Sequence, residues 1–464
     1  MKIKPSILAI AVSGLVGLTS APLAASGSLR TAVQQDVPAH QPILKQWIEL
    51  ALENDASRKQ IYAQELSLRE TAIANATLMD PKLKVGVGGL PVDSFKFDDD
   101  PMTNISVGLM QQFERGSTLD LKQKQTGQQA DAMQLQRQTR ELEVANSMTQ
   151  LWLELGYQQQ AEHILRENLR LMKEMERYIA TNYQLGKSDT QDLIQAQLQV
   201  SKLDEKLLAN QQMQRRIQSQ LSEWLGPAWL SNQARISASN TLDWPDLEAK
   251  LRQSDGNQHY ALLNQHPMLK MADVAVATSQ TQVELAEQAY TPQFGVEVMY
   301  AYRQANNMRG EPASDLVSAY LTLDIPLFTG NRQDRQHAAA QYQVGAAKSN
   351  KDLLLAQMNA KVNALLVDKN NLEQRLERYQ DTLLQRAKER TRAVERGYQN
   401  NTAQFNDVLT ATADELALDL EKQRLLTDLN IANSNLAYLL DAFGYQVNQP
   451  DLSSTASSAQ ERQQ

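Results

Sequence analysis

Residues 317–332 read Val-Ser-Ala-Tyr-Leu-Thr-Leu-Asp-Ile-Pro-Leu-Phe-Thr-Gly-Asn-Arg. Val317, Ala319, Leu321, Leu323, Ile325 and Leu327 alternate with Ser318, Tyr320, Thr322 and Asp324. That is the period of a strand with one apolar face and one small or polar face. No proline lies between Pro326 and Pro450, and this window is rich in Gln, Ala, Leu, Glu, Lys and Arg, all good helix formers. A strand therefore feeds a very long helix, predicted over about residues 332–397. A helix of about 66 residues reaches roughly 100 Å at 1.5 Å per residue. Such a helix cannot be the core element of a small globule and must be a strut packed along its length.

The same grammar occurs earlier. No proline lies between Pro101 and Pro227, and a second long helix is predicted over about 117–182. Each long helix is preceded by two alternating strands, at about 82–90 and 104–113 in the first half and at about 293–302 and 316–328 in the second. Each is followed by a tight polar break and another helix, at about 188–225 and 404–442. The first break is Leu185-Gly186-Lys187-Ser188 and the second is Asn400-Asn401-Thr402. Gly186 suits the left-handed conformation past a helix end, and Ser188 with Gln191 has the spacing of a capping box. A shift of 215 residues places Lys173-Glu174 on Lys388-Glu389, Tyr183-Gln184 on Tyr398-Gln399 and Asp192 on Asp407. A shift of 211 places Pro81 on Pro292 and Val85 on Val296.

The chain is thus two tandem repeats of helix, two strands, long helix and helix, over 26–226 and 258–445. Residues 227–257 are expected to form an equatorial linker outside the helices, and 446–464 a disordered tail. The fold class is mainly α with a β-barrel. Four strands cannot close a barrel alone, and an open edge in lipid leaves backbone groups unpaired. Three copies would supply a 12-stranded barrel, continued by an α-helical barrel.

Composition narrows the compartment. Lys2 and Lys4, an apolar run from Ile7 to Leu18, and Ala21, Ala24, Ala25 and Ser26 have the layout of a secretory signal peptide over 1–25. No cysteine is present, which excludes disulfides and thiolate metal sites. The net charge of −8 argues against nucleic-acid binding. No nucleophile elbow, P-loop, dinucleotide fingerprint or zinc signature occurs, so no enzyme activity, catalytic residue, cofactor or metal site is expected. Asp98-Asp99-Asp100 with Met102 lacks the spaced geometry of a calcium site and reads as a solvated turn.

These stretches resemble a known family. Asp324-Ile325-Pro326-Leu327-Phe328-Thr329-Gly330-Asn331-Arg332, its weaker copy Gln112-Phe113-Glu114-Arg115-Gly116, and the pair Tyr183–Ala196 and Tyr398–Ala411 look like the corner and helix-tip signatures of TolC-type outer-membrane efflux factors. The resemblance implies a homotrimer in outer-membrane lipid that extends into the periplasm. It implies two partners, a periplasmic membrane-fusion adaptor and an inner-membrane resistance–nodulation–division pump. It further implies a passive exit duct for heavy-metal cations or drugs, or alternatively for type I protein secretion. Asp80–Leu83 through Leu90–Phe95 resembles the members that serve heavy-metal pumps.

By the same resemblance the channel constriction falls on Asp192, Tyr398 and Asp407, with Tyr398 paired to Asp192. The tips that meet the adaptor or pump fall on Tyr183, Leu185, Gly186, Lys187, Ser188, Asn400, Asn401 and Thr402. Two positions depart from the family: Thr410 replaces a second inward acidic residue and Ala403 a tip arginine. For Asp192 and Asp407 the plainer alternative is charge at a helix N-terminus, which complements the macrodipole. A rival of another class, a periplasmic coiled-coil adaptor, would carry one helical hairpin between β-rich domains rather than two hairpins with strand pairs.

Overall fold

Asp55 breaks the first helical stretch. Its backbone is extended, and its carboxylate accepts from the amides of Ser57 and Arg58, which starts a new helix. The single helix predicted before the strands is therefore two, α1 (Gln41–Asn54) and α2 (Ala56–Asn75). The structure is a computed structural model that describes residues 41–226, 236–253, 256, 258–400 and 402–452. The predicted signal peptide over 1–25, most of the predicted tail and Asn401 lie outside the described residues.

Strands β1 (Lys82–Gly88) and β2 (Asn104–Gln112) lead to helices α3 (Thr118–Gln184) and α4 (Thr190–Leu225). After the linker come α5 (Pro245–Arg252), the single turn α6 (Tyr260–Leu263) and α7 (Pro267–Gln288). Strands β3 (Gln293–Tyr302) and β4 (Leu316–Asp324) precede α8 (Gln333–Arg378), a π-helical turn at Tyr379–Leu383, α9 (Leu384–Gln399) and α10 (Phe405–Leu439). The second long helix is thus interrupted, where one continuous helix was predicted. The second strand of that repeat stops at Asp324 rather than near 328, because Pro326 has no N–H to give a ladder.

The strands form one antiparallel sheet in the order β1-β2-β3-β4. Its register sorts the side chains by chemistry. Val85 lies opposite Val107, Val107 opposite Tyr300, and Tyr300 opposite Val317. Leu109, Val298 and Ala319 form the next row. Among the described residues no element covers this apolar face: Val85 is 69% exposed, Leu321 66% and Val317 74%. Gly86, Ser106, Gly108, Glu297 and Thr322 alternate onto the opposite face, where Lys84 and Glu297 form a 2.7 Å ion pair. The outer edges of β1 and β4 have no neighbouring strand among the described residues.

Both strand-to-helix corners are joined. Phe113 stacks on Phe294 at 4.9 Å between centroids, Arg115 donates to the Thr291 carbonyl at 2.7 Å, and its guanidinium pairs with Asp324. From these corners the helices run side by side. Helix α3 packs against α1, α2 and α4, and also against α7 and α10; α8 continues the row against α7 and α10, and α9 against α10. Short helices stacked beside long ones give a wall one helix thick.

Two apolar clusters hold the middle of the wall. In the first, Leu52, Met148, Trp152 and Leu221 are buried together, and Trp47 meets Trp152 edge-on at 5.0 Å. In the second, Leu247, Leu263, Leu269, Met358, Val362 and Leu436 join α5, α6, α7, α8 and α10. Between them the linker crosses α3 at Gly156, where a Cβ would stand 2.3 Å from the Ser239 carbonyl carbon and 2.5 Å from the Asn240 nitrogen. Asn430 fastens this crossing, accepting from the Leu242 amide at 3.2 Å and the Trp244 indole at 2.9 Å.

The predicted tail begins too early. The Gln446 amide donates to Glu49 at 3.1 Å, the buried Arg58 donates to the Asn448 carbonyl, and Tyr445 and Val447 pack on the first cluster. Residues 443–449 are therefore a strap across α1 and α3. Phe443, Tyr445 and Val447 alternate with polar residues, and that short pattern was overlooked beside the Ser/Gln-rich end.

Candidate functional site

At the far end of the wall each long helix turns back. The C-terminus of α3 closes as a Schellman motif: Gly186 sits at φ +68°, its N–H reaches the Tyr183 carbonyl at 3.0 Å, and the Lys187 N–H reaches the Asn182 carbonyl at 2.8 Å. Residue Asp189, extended at φ −80° and ψ 156°, occupies the N-cap of α4 without a side-chain cap bond. The Ser188–Gln191 capping box expected from spacing is therefore absent. Ser188 is one residue too early, and its hydroxyl acts instead on the Tyr398 phenol.

The second turn repeats the chemistry with different residues. The Thr402 N–H and hydroxyl both donate to the Gly397 carbonyl, at 2.8 and 3.0 Å. Gln404 and Asp407 then form the capping box of α10, with the Gln404 N–H donating to Asp407 at 3.1 Å. The Asp407 carboxylate, exposed to solvent, thus serves its own helix start. Asn400 caps α9; Tyr183, Leu185, Gly186 and Lys187 are exposed at the end of the first hairpin.

Tyr398 joins the two hairpins. Its ring meets Tyr178 edge-on at 6.5 Å and lies 5.9 Å from Phe405. Phe405 is 2% exposed and buried with Ile179 and Ala196, so the first turn of α10 is plugged into the α3–α4 hairpin. Burial raises the Tyr398 phenol; the Ser188 hydroxyl opposes this, and the Asp192 charge adds to it. Tyr398, Ser188 and Asp192 therefore act on one another at the tip. Tyr178, Ile179 and Phe405 were missed from sequence. The signal for Phe405 was available, since an aromatic at the first turn after a hairpin break has no reason to face water.

Asp192 has its own strain. Burial first, and the neighbouring Asp189 second, push its carboxyl above the ordinary value. A carboxyl favoured in its acid form stabilises the packed tip most at low pH, and this contribution fades as pH rises through the raised value. The tip is thus expected to tighten on acidification, and Asp192→Asn to hold it tight at neutral pH. Single-channel recordings over a descending pH series check this: wild-type conductance should fall as the carboxyl takes up its proton, and the variant should lose that dependence.

Above the tip a groove of about 870 Å³ runs between α3 and α9 over α10, lined by Leu171, Met175, Tyr178, Arg392, Glu395 and Tyr398 among others. Its walls mix apolar stems with charges of both signs. Among the described residues no cluster of three or more His, Asp or Glu side chains is placed to hold a metal ion.

Residues 259–442 match the family model described as outer membrane efflux protein. The fold is similar to several solved channels. The outer membrane protein VceC of Vibrio cholerae is 16% identical with a TM-score of 0.71, over 87% of this chain and 97% of that one. The CmeC outer membrane channel of Campylobacter jejuni is 13% identical with a TM-score of 0.69, over 89% of this chain and 88% of that one. The open state of the MtrE outer membrane channel of Neisseria gonorrhoeae is 12% identical with a TM-score of 0.65, over 86% and 89%. No curated relative matches by sequence.

Proposed function

We propose that this chain, whose residues 259–442 match the outer membrane efflux protein model, is a channel of the outer membrane that extends into the periplasm, and that three copies form the passive exit duct of a tripartite efflux system. One observation carries the reading. A four-stranded sheet with an uncovered in-register apolar face and two unpaired edges satisfies its backbone in lipid only by joining other copies edge to edge. Joining β1 of one copy to β4 of the next, three times, closes a 12-stranded barrel wide enough for a water-filled lumen. The helical wall then continues that lumen away from the membrane.

The adaptor and pump are expected to meet the ends of the hairpins, at Tyr183, Leu185, Gly186, Lys187, Ser188, Asn400, Asn401 and Thr402. Tyr398, Asp192 and Asp407 are read as the gate. Support for the first two is their shared position at the plug between hairpins; support for Asp407 is its exposure at the same end. Opening is then a change between two packings of the tip, biased by the partner. Heavy-metal cations are the preferred cargo on the resemblance of residues 80–95, and drugs the second.

Planar-bilayer recordings test the reading. The purified protein should run as a heat-sensitive trimer and conduct. Tyr398→Phe, which removes the hydroxyl that Ser188 and Asp192 act on, should raise basal conductance several-fold. Asp407→Ala should weaken block by a trivalent cation about tenfold if that carboxylate faces the lumen. A water-soluble monomer without conductance overturns the duct; unchanged block removes Asp407 from the gate.

A further inference from the structure

Helices α3, α4 and α10 leave a niche of about 420 Å³ in the middle of the wall, a volume in the range of small-molecule sites. Leu151, Trp224 and Ile431 supply its apolar surface, and Glu154 and Glu223 its charge. Among the described residues no Lys or Arg lines it.

Its orientation follows from the helix period. Successive residues of an α-helix are turned by about 100°, so Ser147, Leu151 and Glu154 of the niche lie on the side of α3 opposite Gly156, where the linker crosses. On the duct reading, that opposite side is the lumen. Three linkers turned inward, each carrying α5, would obstruct the passage; turned outward, they leave it free.

The two carboxylates are of different kinds. Glu154 is fixed, accepting from Arg424 at 2.7 Å and from Gln158 at 3.1 Å. Arg424 is shared with Asp428, so one guanidinium serves two carboxylates and the surroundings stay negative. Glu223 is exposed and has no ion pair or hydrogen bond among the described residues. Its charge is therefore free for a ligand. The half-buried Trp224 packs on the first apolar cluster, yet its indole N–H is buried without a hydrogen-bond partner. Leu or Phe at that place would avoid the cost of an unmade bond. What Trp adds is a large π face, which attracts cations better than the ring of Tyr or Phe.

We propose that this niche binds an amphipathic organic cation, an aromatic or apolar body carrying a positive charge, as cargo passes along the lumen. The body lies against Leu151 and Ile431, its ring system meets Trp224, and its charge is held by Glu223. The lumenal placement rests on the duct reading; the chemistry of the niche does not. A hydrated metal ion gains little from such a wall, and among the described residues no three His, Asp or Glu side chains cluster to replace its water. The niche thus favours drugs over metal cations as the cargo it would retain. In a trimer, symmetry sets three such niches at one level of the duct.

Ethidium, an aromatic monocation, tests the proposal. Fluorescence anisotropy with the purified full-length protein in detergent should show saturable binding. Glu223→Gln and Trp224→Leu should each weaken it about tenfold. Glu223 is exposed, so its variant should keep the heat resistance of the wild type and decide the matter even if the Trp224 variant fails to assemble. Fluorescein, an anionic dye of similar size, should not compete. Equal ethidium binding in wild type and Glu223→Gln overturns the site, as does competition by fluorescein. In planar bilayers ethidium should reduce the wild-type current, and the Glu223 variant should need about tenfold more. Binding that leaves the current of a conducting wild type unchanged overturns the lumenal placement. A wild type that binds ethidium through Glu223 but does not conduct refutes the duct and leaves the niche standing.

Discussion

Replacing Gly156 by alanine is expected to lower the temperature at which the trimer dissociates, and replacing it by leucine to prevent stable assembly. Gly156 lies inside a 67-residue helix, where glycine costs about 1 kcal/mol relative to alanine. Its presence is explained by what crosses it. The nearest atoms to an added Cβ are all backbone, the carbonyl of Ser239 and the nitrogen of Asn240, and all within 2.6 Å. Backbone cannot rotate aside as a side chain would, so the linker must lift. Overpacking of this kind costs about 1–3 kcal/mol, and lifting also endangers the Asn240 bond to Gln423 at 3.0 Å and the contacts of Asn430. Protease cleavage within 236–244 should rise in step with the loss of heat resistance. An alanine variant as stable and as resistant as wild type would show that the crossing is not a close contact.

The second large effect is expected at Arg58. Its side chain is 1% exposed and reaches Glu141 at 2.6 Å, the Leu52 carbonyl at 3.2 Å and the Asn448 carbonyl. Through these bonds it closes the gap between α1 and α2, binds α3 and holds the C-terminal strap. Arg58→Met keeps most of the volume and removes the charge. Glu141, 7% exposed, is then left with Arg137 at 3.0 Å. Removing one partner of a buried pair costs about 3–5 kcal/mol, which should appear as a large drop in dissociation temperature. Adding Glu141→Gln should recover part of it, since the buried carboxylate that has lost its shortest partner is gone, and a double-mutant cycle would measure the coupling. Additive losses would mean that Arg58 acts only through the strap.

Much of this architecture is written at the level of pattern. The alternation around Val85 and Val317, the proline-free windows and the repeat shift were enough to place four strands and both hairpins. The features that escaped depend on phase or on distant partners. The break at Asp55 needs the knowledge that Arg140 waits 2.8 Å away on α3; in the sequence alone, a single Asp inside a helical run is unremarkable. The π turn at Tyr379–Leu383 contains no Pro or Gly, so nothing in the residue pattern marks it. At the tip the family likeness pairs Tyr398 with Asp192, whereas the Tyr398 phenol feels both the Asp192 charge and the Ser188 hydroxyl, a partner that only the fold brings near. Asp407 took the plain capping role that its position after a break always allowed.

The uncovered sheet also bears on how the molecule is made. A single newly exported chain presents apolar rows and two bare β edges, a surface prone to pairing with the wrong strand. Lys82 and Lys84 on β1 blunt one edge, while β4 ends in a single Asp after a run of uncharged residues. On the trimeric reading, the bare edges are paired only when three sisters meet, so insertion into lipid and assembly are expected to be coupled. Yield in the cell should then depend steeply on synthesis rate, with slow expression favouring orphan chains that are degraded before they find company.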